Sequence, residues 1–529
     1  MVTAGLALGG PGRAASEESM KSDRPNILWI CTDQQRFDTI ACLGNSHIRT
    51  PNIDRLAAGG VAFTHAFAQA PVCTPSRASF LTGRYPRTTG ARRNGQAIPA
   101  DEVLVTKMLA DEGYDCGLSG KLHIAPCQKR VEKRIDDGYR VFHWSHDPHP
   151  NWEENEYQQW LKAKGIVWKD IYQPKGRKAF AGAPAEHHQT TWCTDRAIDF
   201  MKEKREGPWL MSVNIFAPHH PFDPPGEYLE RYDPDKLPDP AYVEGELDNK
   251  PVFQQVDHDG AYGGMLLGFS KMSPRERREV TAAYYAMIEQ VDDNVGRLLK
   301  CLDETGQRDN TIVIFMSDHG ELLGDHGMYL KGPHMYDCSI RVPLIISWPG
   351  RFKAGLRSDA LVELVDIVPT LLGALGMEVP VRVQGKTLLD ICTGKADAHK
   401  HRDQVYTEYY IGQPFHRKLR QRPMLTTVRT RTAKITSYAG MQIGELYDLE
   451  GDPGEQRFGE GVRGLVARQW QASALGHLAF EDESFLVHLT RPPSTRSRKH
   501  RSERRSATRS PPAAASSPRQ SARRCPSPR

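Results

Sequence analysis

Two acidic residues stand directly after buried-looking apolar segments, and one of them is followed by a histidine. Asp33 follows residues 26–32 (NILWICT), and the pair Asp318 and His319 follows residues 311–317 (TIVIFMS). Carboxylate oxygens are the ligands that Ca²⁺, Mg²⁺ and Mn²⁺ prefer, so these residues could bind a hard divalent cation. An acid at a strand end more often caps a helix or pairs with a base, and this alternative stays open for each acid taken alone.

The apolar segments that precede these acids are typical of buried parallel strands. Further strands are predicted at residues 114–118, 209–216 and 343–348, and helices at residues 52–68, 103–112 and 279–304. Strands that alternate with helices indicate an α/β fold with a mostly parallel central sheet. Since ligands bind beyond the carboxyl ends of such strands, Asp33 and Asp318 are expected at the edge where a site forms.

The texture of the chain changes after residue 376. Short β segments are predicted at residues 404–409, 425–436 and 445–448, which indicates a small antiparallel α+β subdomain over residues 376–490. The preceding part, residues 24–375, is predicted to be the main α/β domain, which contains both strand-end acids. Within it, residues 140–190 are rich in Trp and His with little periodicity, and we expect an insertion that selects the substrate.

The charge is unevenly distributed along the chain. The 529 residues carry a formal net charge of +5, but residues 491–529 hold 12 Lys/Arg and only one acid, Glu503, which leaves the remainder at −6. The basic balance therefore belongs to a Ser/Arg/Pro-rich tail that is predicted to be disordered. A nucleic-acid partner is not expected for the catalytic body.

The start of the chain and its cysteines bear on localisation. Residues 1–23 are predicted to be a disordered leader with no basic n-region, so Met1 and Met20 are both candidate starts. No apolar run approaches the roughly 18 residues that span a bilayer, and no membrane association is expected. The ten cysteines include no CxxC pair, so neither a zinc framework nor a disulfide scaffold is indicated. A cytoplasmic location is favoured, with a periplasmic or secreted one as the alternative.

The segment Cys73-Thr74-Pro75-Ser76-Arg77, followed by Leu81-Thr82-Gly83-Arg84, carries the most specific pattern in the chain. It is similar to the C-x-P-x-R signature and downstream T-G-R of the formylglycine-dependent sulfatases, in the alkaline phosphatase superfamily. The resemblance extends over about residues 24–450. It implies that Cys73 is oxidised to formylglycine by a formylglycine-generating or anaerobic sulfatase-maturating enzyme.

The resemblance also implies a set of metal ligands. Asp33 and Gln34 in TDQQ match the first metal-binding pair, and Asp318 and His319 in SDHGE match the second. The Asp-Gln pair resembles the branch of choline sulfatases and phosphonate monoester hydrolases, whereas many sulfatases have two adjacent acids there. With residue 73, these positions imply one divalent cation, Ca²⁺ first and Mg²⁺ or Mn²⁺ as alternatives.

The remaining matched positions imply catalytic side chains. Arg77 matches the arginine that holds the oxygens of the nucleophile, and His219 in PHHP matches the histidine at the sulfate. Lys121 and His123 in GKLH and Lys331 in LKGPH match three further catalytic positions. Asn94 resembles a substrate-binding asparagine of the Asp-Gln branch, with a turn asparagine before Gly95 as the alternative.

A sulfate ester needs fixed positive charge because negative charge moves onto the leaving oxygen as the S–O bond breaks. Lys121, Lys331 and Arg77 are expected to supply it together with the cation. The resemblance implies a formylglycine hydrate as the nucleophile, with His219 and Lys331 protonating the leaving alcohol. His123 is then expected to take the proton that lets sulfate leave.

The sequence therefore predicts a sulfuric ester hydrolase that acts on a sulfated saccharide or small alcohol. Two alternatives remain open. A phosphonate monoester or phosphodiester hydrolase would use the same residues, and a non-catalytic binding protein would keep Cys73 unmodified. The sequence alone leaves the oligomeric state undetermined.

Overall fold

A central mixed sheet organises the chain, which we describe from a computed structural model. The structure describes residues 24–148, 152–172, 178–411, 422–441 and 443–457. The predicted leader, the basic tail and the end of the predicted subdomain lie outside the described residues.

Fifteen strands occur in the described residues. In chain order they are β1 Asn26–Thr32, β2 Val61–Phe63, β3 Ala66–Phe67, β4 Asp115–Gly120, β5 Tyr139–Trp144, β6 Trp209–Ile215, β7 Thr311–Ser317, β8 Arg341–Val342, β9 Leu344–Ser347, β10 Leu356–Ser358, β11 Val362–Glu363, β12 Val405–Tyr410, β13 Met424–Arg429, β14 Ala433–Tyr438 and β15 Gly444–Asp448.

The α-helices of the described residues vary from single turns to one long helix. In chain order they are α1 Pro51–Ala58, α2 Cys73–Thr82, α3 Pro86–Thr89, α4 Val105–Asp111, α5 Glu156–Ala163, α6 Trp168–Ile171, α7 Gln189–Met201, α8 Gly226–Leu229, α9 Val252–Asp259, α10 Ala261–Gly264, α11 Pro274–Glu304, α12 Asp337–Ile340, α13 Ile367–Ala374 and α14 Leu389–Thr393. Within the described ranges, none of these helices has the length and apolar character needed to cross a membrane.

The largest sheet has eight strands in the order β10-β2-β9-β7-β1-β6-β4-β5. All neighbouring pairs are parallel except the two that involve β9. Thr32 of β1 pairs with Ser317 of β7, so Asp33 and Asp318 leave the sheet side by side at its carboxyl edge. The predicted α/β fold class is confirmed.

Both faces of this sheet are buried against helices. Along β1, Leu28 and Ile30 belong to one hydrophobic cluster, while Ile27 and Trp29 belong to the other. Side chains alternate between the faces of a strand, so a strand that is apolar throughout must be covered on both sides. This explains why β1 and β7 were recognisable as continuous apolar runs.

The helix predicted over residues 52–68 is wrong in its second half. The helix α1 ends at Ala58, and the chain then forms β2 and β3. A Cβ at Gly60 would lie 2.6 Å from the carbonyl oxygen of Ile346, so a glycine is needed where the chain passes β9. Pairing of β2 with β9 therefore overrides the helical periodicity of the segment.

The antiparallel sheet β12-β13-β14-β15 follows the larger one and matches the predicted C-terminal β segments. A buried ion cluster joins it to α12. Asp337 at the start of α12 accepts a hydrogen bond from Arg429 of β13 at 3.1 Å, and Lys434 of β14 lies 3.5 Å from the other carboxylate oxygen. These contacts fix the C-terminal sheet against the loop that carries Lys331. The predicted domain boundaries themselves stay a prediction.

We expect Asp337→Asn to lower the free energy of unfolding by about 3–5 kcal/mol, because it leaves Arg429 and Lys434 buried without a full counter-charge. Urea denaturation followed by circular dichroism measures this. Asp359→Asn is the matched control, since Asp359 pairs with Arg431 at a largely exposed position and should change stability by less than about 1 kcal/mol. Equal effects of the two variants would contradict the assignment.

Candidate active site

Cys73 is the first residue of α2, a ten-residue helix whose side chains are all buried. The helix ends at Gly83, which caps it in the left-handed conformation with φ 68° and so explains the glycine of T-G-R. The amide of Thr74, in the first turn, donates to the Asn94 side-chain oxygen at 2.9 Å. A helix N-terminus favours negative charge, so α2 points the favourable end of its dipole at residue 73.

The sulfur of Cys73 lies among cationic and metal-ligating groups. Its distances are 2.9 Å to Lys331 Nζ, 3.2 Å to His319 Nε2, 3.5 Å to Lys121 Nζ and 3.6 Å to Asp33 Oδ1. Burial and Asp33 oppose ionisation of the thiol, but Lys121, Lys331 and His319 outweigh them and hold its pKa well below the usual value. The surroundings of residue 73 therefore stabilise an anion.

Arg77, one turn further along α2, joins the two strand-end acids. Its Nε donates to Asp318 Oδ2 at 2.8 Å and its second terminal nitrogen lies 3.2 Å from Asp33 Oδ2. The other terminal nitrogen donates to the carbonyl oxygen of Lys121 at 2.8 Å. The structure thus places Arg77 behind Cys73, tied to the carboxylates. The prediction that it holds the oxygens of the nucleophile stays a prediction.

The two acids differ in their electrostatic surroundings. Asp33 is buried, but Lys121, with its Nζ 2.5 Å from Asp33 Oδ2, together with His219 and Lys331, holds the pKa of Asp33 well below the usual value. Burial and the neighbouring Asp33 raise the pKa of Asp318. Two carboxylates this close cannot both be ionised without cations between them, which is the situation that a divalent ion relieves.

The donor set at the strand ends fits a hard divalent cation. One donor atom from each of Asp33, Cys73, Asp318 and His319 lies within 4.8 Å of the others. The ring of His319 interacts through Nδ1 with the Gly320 carbonyl oxygen at 2.9 Å, so Nδ1 carries the proton and the Nε2 lone pair faces the cluster, 3.1 Å from Lys331 Nζ.

Gln34 supplies a further oxygen. Its amide nitrogen is hydrogen-bonded to Glu321, and its buried Oε1 has no hydrogen-bond partner among the described residues. A buried carbonyl oxygen without a partner is costly, and coordination of a cation would satisfy it. The ligand residues predicted from the sequence therefore come together in the fold.

Glu321 contacts the candidate ligand Gln34 and was not among the site residues predicted from the sequence, although it lies in the SDHGE segment. It is fully buried, accepts the Leu323 amide at 2.9 Å and also accepts the Leu330 amide and the Gln34 side chain. Because Glu321 can only accept while ionised, it fixes which end of the Gln34 amide faces the cluster. Its position two residues after His319, in the SDHGE segment, was the one sequence feature that pointed to it.

His123 lies on the loop after β4, next to Lys121. It has a left-handed backbone (φ 59°), and Glu132 holds the loop by accepting the amides of His123 and Ile124, each at 2.7 Å. Burial and Lys121 hold the pKa of His123 well below the usual value, so its imidazole is neutral and able to accept a proton. Glu132 is a second residue that the sequence reasoning missed, and its spacing carried no recognisable signal.

His219 is also brought to the site. Its Nδ1 lies 2.6 Å from the carbonyl oxygen of His220, and its ring packs at 4.6 Å from that of Phe216. Burial and Lys331 hold its pKa well below the usual value, while Asp33 and a hydrogen bond to Cys73 act in the opposite direction. A bound anion would raise this pKa by stabilising the imidazolium form.

Most of the chain is similar to known protein families. Residues 25–377 match the sulfatase family, and residues 324–460 match the family described as N-sulphoglucosamine sulphohydrolase, C-terminal.

Three curated relatives cover most of the chain. An arylsulfatase of Clostridium perfringens is 29% identical over 82% of this chain and 89% of its own length. A multifunctional alkaline phosphatase superfamily protein of Trinickia caryophylli is 29% identical over 90% and 100%, respectively. An N-acetylglucosamine-6-O-sulfatase of Bacteroides thetaiotaomicron is 28% identical over 83% of each chain.

Among solved structures, a phosphonate monoester hydrolase of Agrobacterium radiobacter superimposes with a TM-score of 0.74. It is 28% identical and covers 88% of this chain and 96% of its own.

We expect Glu321→Gln to weaken divalent-cation binding by about 10–100-fold, because an amide at position 321 no longer fixes the orientation of the Gln34 amide. Competition for Ca²⁺ and for Mn²⁺ with a chromophoric chelator measures the affinity. Glu363→Gln is the matched control: Glu363 is equally buried but contacts Tyr85 and Arg402, so it should leave cation affinity unchanged. Unaltered affinity in Glu321→Gln would contradict the positioning role.

Proposed function

We propose that this chain, which belongs to the sulfatase family, cleaves the sulfate monoester of a saccharide with a nucleophile made from Cys73. Family membership makes it a sulfuric ester hydrolase of the alkaline phosphatase superfamily. Three parts are proposed: the identity of the nucleophile, the identity of the cation and the identity of the alcohol that carries the sulfate.

One observation carries the proposal. The Cys73 sulfur lies at the N-terminus of α2 with the amines of Lys331 and Lys121 at 2.9 and 3.5 Å and His319 at 3.2 Å. A core thiol would be surrounded by apolar atoms, whereas this one occupies the centre of a cationic cluster at the carboxyl edge of the sheet. Such surroundings suit a side chain that carries negative charge during a reaction.

The residues around position 73 have separate tasks in the proposed reaction. Lys121 and Lys331 face the anionic ester and offset the charge that develops as the S–O bond breaks. His219, beside Lys331, delivers a proton to the leaving alcohol. His123, whose imidazole is neutral, accepts the proton whose removal releases sulfate.

Two groups that the family implies complete this chemistry. Oxidation of Cys73 to formylglycine supplies an aldehyde whose hydrate offers one hydroxyl for attack at sulfur and a second for release of the product. A divalent cation would be held by Asp33, Gln34, Asp318 and His319 and would supply Lewis-acid chemistry at the reacting sulfate ester. Ca²⁺ is the first candidate, because the donor set is rich in carboxylate and amide oxygens.

A saccharide is supported as the alcohol by a relative and by the site. The Bacteroides thetaiotaomicron relative is named as an N-acetylglucosamine-6-O-sulfatase. Beside His123, the half-buried rings of His146 and Trp152 stack at a centroid distance of 5.3 Å, and both also pack against the fully buried Trp144. Flat aromatic surfaces next to fixed polar groups are typical of pockets that orient an amphipathic ligand such as a sugar.

A phosphonate monoester hydrolase is the second candidate function. It is favoured by the similarity to the Agrobacterium radiobacter structure and by the Asp33-Gln34 and Asp318-His319 pairs. The same cations and nucleophile would serve a phosphonate ester, so the two functions differ in rate and not in machinery.

Cys73→Ala should reduce turnover of an aryl sulfate by roughly 10⁴-fold or more, because it removes the nucleophile. The enzyme is to be co-expressed with a formylglycine-generating enzyme, and peptide mass spectrometry should find formylglycine at position 73 of the parent. Cys116→Ala, a change at a buried cysteine of the core, should retain activity. Full activity with an unmodified Cys73 would contradict the proposal.

Substrate preference separates the two candidate functions. We expect kcat/KM of the matured enzyme for an aryl sulfate to exceed that for the matching aryl phosphonate monoester by at least about tenfold. A panel of sulfated mono- and disaccharides, with choline sulfate as a small-alcohol control, should identify the preferred alcohol. A strong preference for the phosphonate would favour the second candidate, and a preference for choline sulfate would exclude the saccharide.

A further inference from the structure

A second cluster of metal-ligating side chains lies beside the proposed active site. It consists of His123, Cys127 and His146, and one donor atom from each lies within 4.8 Å of the others. His123 and Cys127 belong to the loop after β4, and His146 follows β5. Since β4 and β5 are parallel neighbours, their carboxyl ends bring these residues to the same edge of the sheet.

The spacing of the donors suits a small tetrahedral cation. The Cys127 sulfur lies 3.3 Å from His146 Nδ1, and the rings of His123 and His146 meet edge to face at 4.3 Å. In tetrahedral Zn²⁺ sites a sulfur and a nitrogen ligand are about 3.5 Å apart, from Zn–S near 2.3 Å and Zn–N near 2.0 Å. Small side-chain movements would therefore complete the geometry, with a fourth position left for water.

His123 supplies an independent indication. Its side chain is 6% exposed, and its Nδ1 has no hydrogen-bond partner within the described part of the chain. A buried imidazole nitrogen is normally satisfied, and a cation is one way to satisfy it. Glu132 accepts the amides of His123, Ile124 and Ala125, so the backbone at His123 is held without using the imidazole.

We propose that His123, Cys127 and His146 form a binding site for Zn²⁺ or another borderline-soft cation, and that its occupancy inhibits the enzyme by capturing His123. The inhibition, but not the binding, rests on the proposed function of His123. On binding, the Cys127 thiol loses its proton to solvent and a sulfur–metal bond forms, while both imidazoles bind through nitrogen lone pairs.

The two neighbouring sites differ in ligand chemistry. Once Cys73 has been oxidised, the site at Asp33, Gln34 and Asp318 combines oxygen donors with the single nitrogen of His319 and suits a hard cation, whereas the cluster at Cys127 offers only sulfur and nitrogen. Ligand softness therefore separates the metals, so that Ca²⁺ does not compete for the second site. Zinc added to a calcium-loaded enzyme is expected to bind at Cys127 first.

Binding is tested with Co²⁺, because a thiolate ligand gives Co²⁺ a near-ultraviolet charge-transfer band. Cys73→Ser is the background, since it removes the thiol of the other cluster, and excess Ca²⁺ is kept present. We expect the band at one Co²⁺ per chain, displacement by Zn²⁺, and loss of the band in Cys73→Ser/Cys127→Ala. Cys73→Ser/Cys116→Ala is the matched control and should keep it. No band, or a band that survives Cys127→Ala, would overturn the site.

Inhibition is tested on the matured, calcium-loaded enzyme with an aryl sulfate. We expect micromolar Zn²⁺ to reduce turnover at least tenfold, reversibly on adding a zinc chelator, and Cys127→Ala to resist this while keeping its basal rate and melting temperature. Equal inhibition of Cys127→Ala would place the inhibitory zinc elsewhere and overturn the proposal. A cobalt band at Cys127 without inhibition would overturn the inhibitory capture of His123 and leave the cation site in place.

Discussion

Arg77 lies between Asp33 and Asp318 and donates a hydrogen bond to each carboxylate. The two acids leave neighbouring strands at the same level of the sheet, so a parallel pairing of β1 and β7 forces two negative charges together in a buried place. Their repulsion must be offset before the sheet edge can close. Since Arg77 is on the same helix as Cys73, the residue that offsets the charge also fixes the position of the candidate nucleophile.

The charge of the site is local and differs from that of the whole body. Residues 1–490 carry a formal charge of −6, yet Cys73 is surrounded by Lys121, Lys331 and the N-terminus of α2. Exposed charges farther away than about 8–10 Å are screened by salt, whereas buried cations next to the reacting atoms are not. The electrostatic attraction of an anionic substrate to the site therefore depends on these few side chains. The net charge of the chain has little influence on that attraction.

Buried glutamates hold the loops of the site in backbone conformations that residues other than glycine rarely adopt. Gln34 and His123 both have positive φ values, 69° and 59°. A left-handed conformation of a non-glycine residue costs of order 1–3 kcal/mol and persists only where its surroundings enforce it. Glu321 binds the Gln34 side chain, and Glu132 binds the amide of His123. The positive φ values thus occur at two candidate site residues, and a buried glutamate contacts each of them.

The sequence alone determined the two strands that precede Asp33 and Asp318 and the residue types at their ends. β1 and β7 have the predicted bounds because a strand buried on both faces is apolar throughout, and the acids after them mark the site. The motif around Cys73 identified the family, because its residue types and spacing are specific. These signals are local, and they need no knowledge of what packs against them.

Only the tertiary structure decided which distant residues meet. Lys331 reaches Cys73 across 258 positions, and Glu321 reaches Gln34 across 287. The end of α1 at Ala58 depends on the pairing of β2 with β9, and the cluster at Cys127 depends on β4 and β5 being neighbours. Such contacts follow from the order of strands in the sheet, which the periodicity of a single segment does not encode. The physical reason is that each of these segments is stabilised mainly by its partners in space and only weakly by its own sequence.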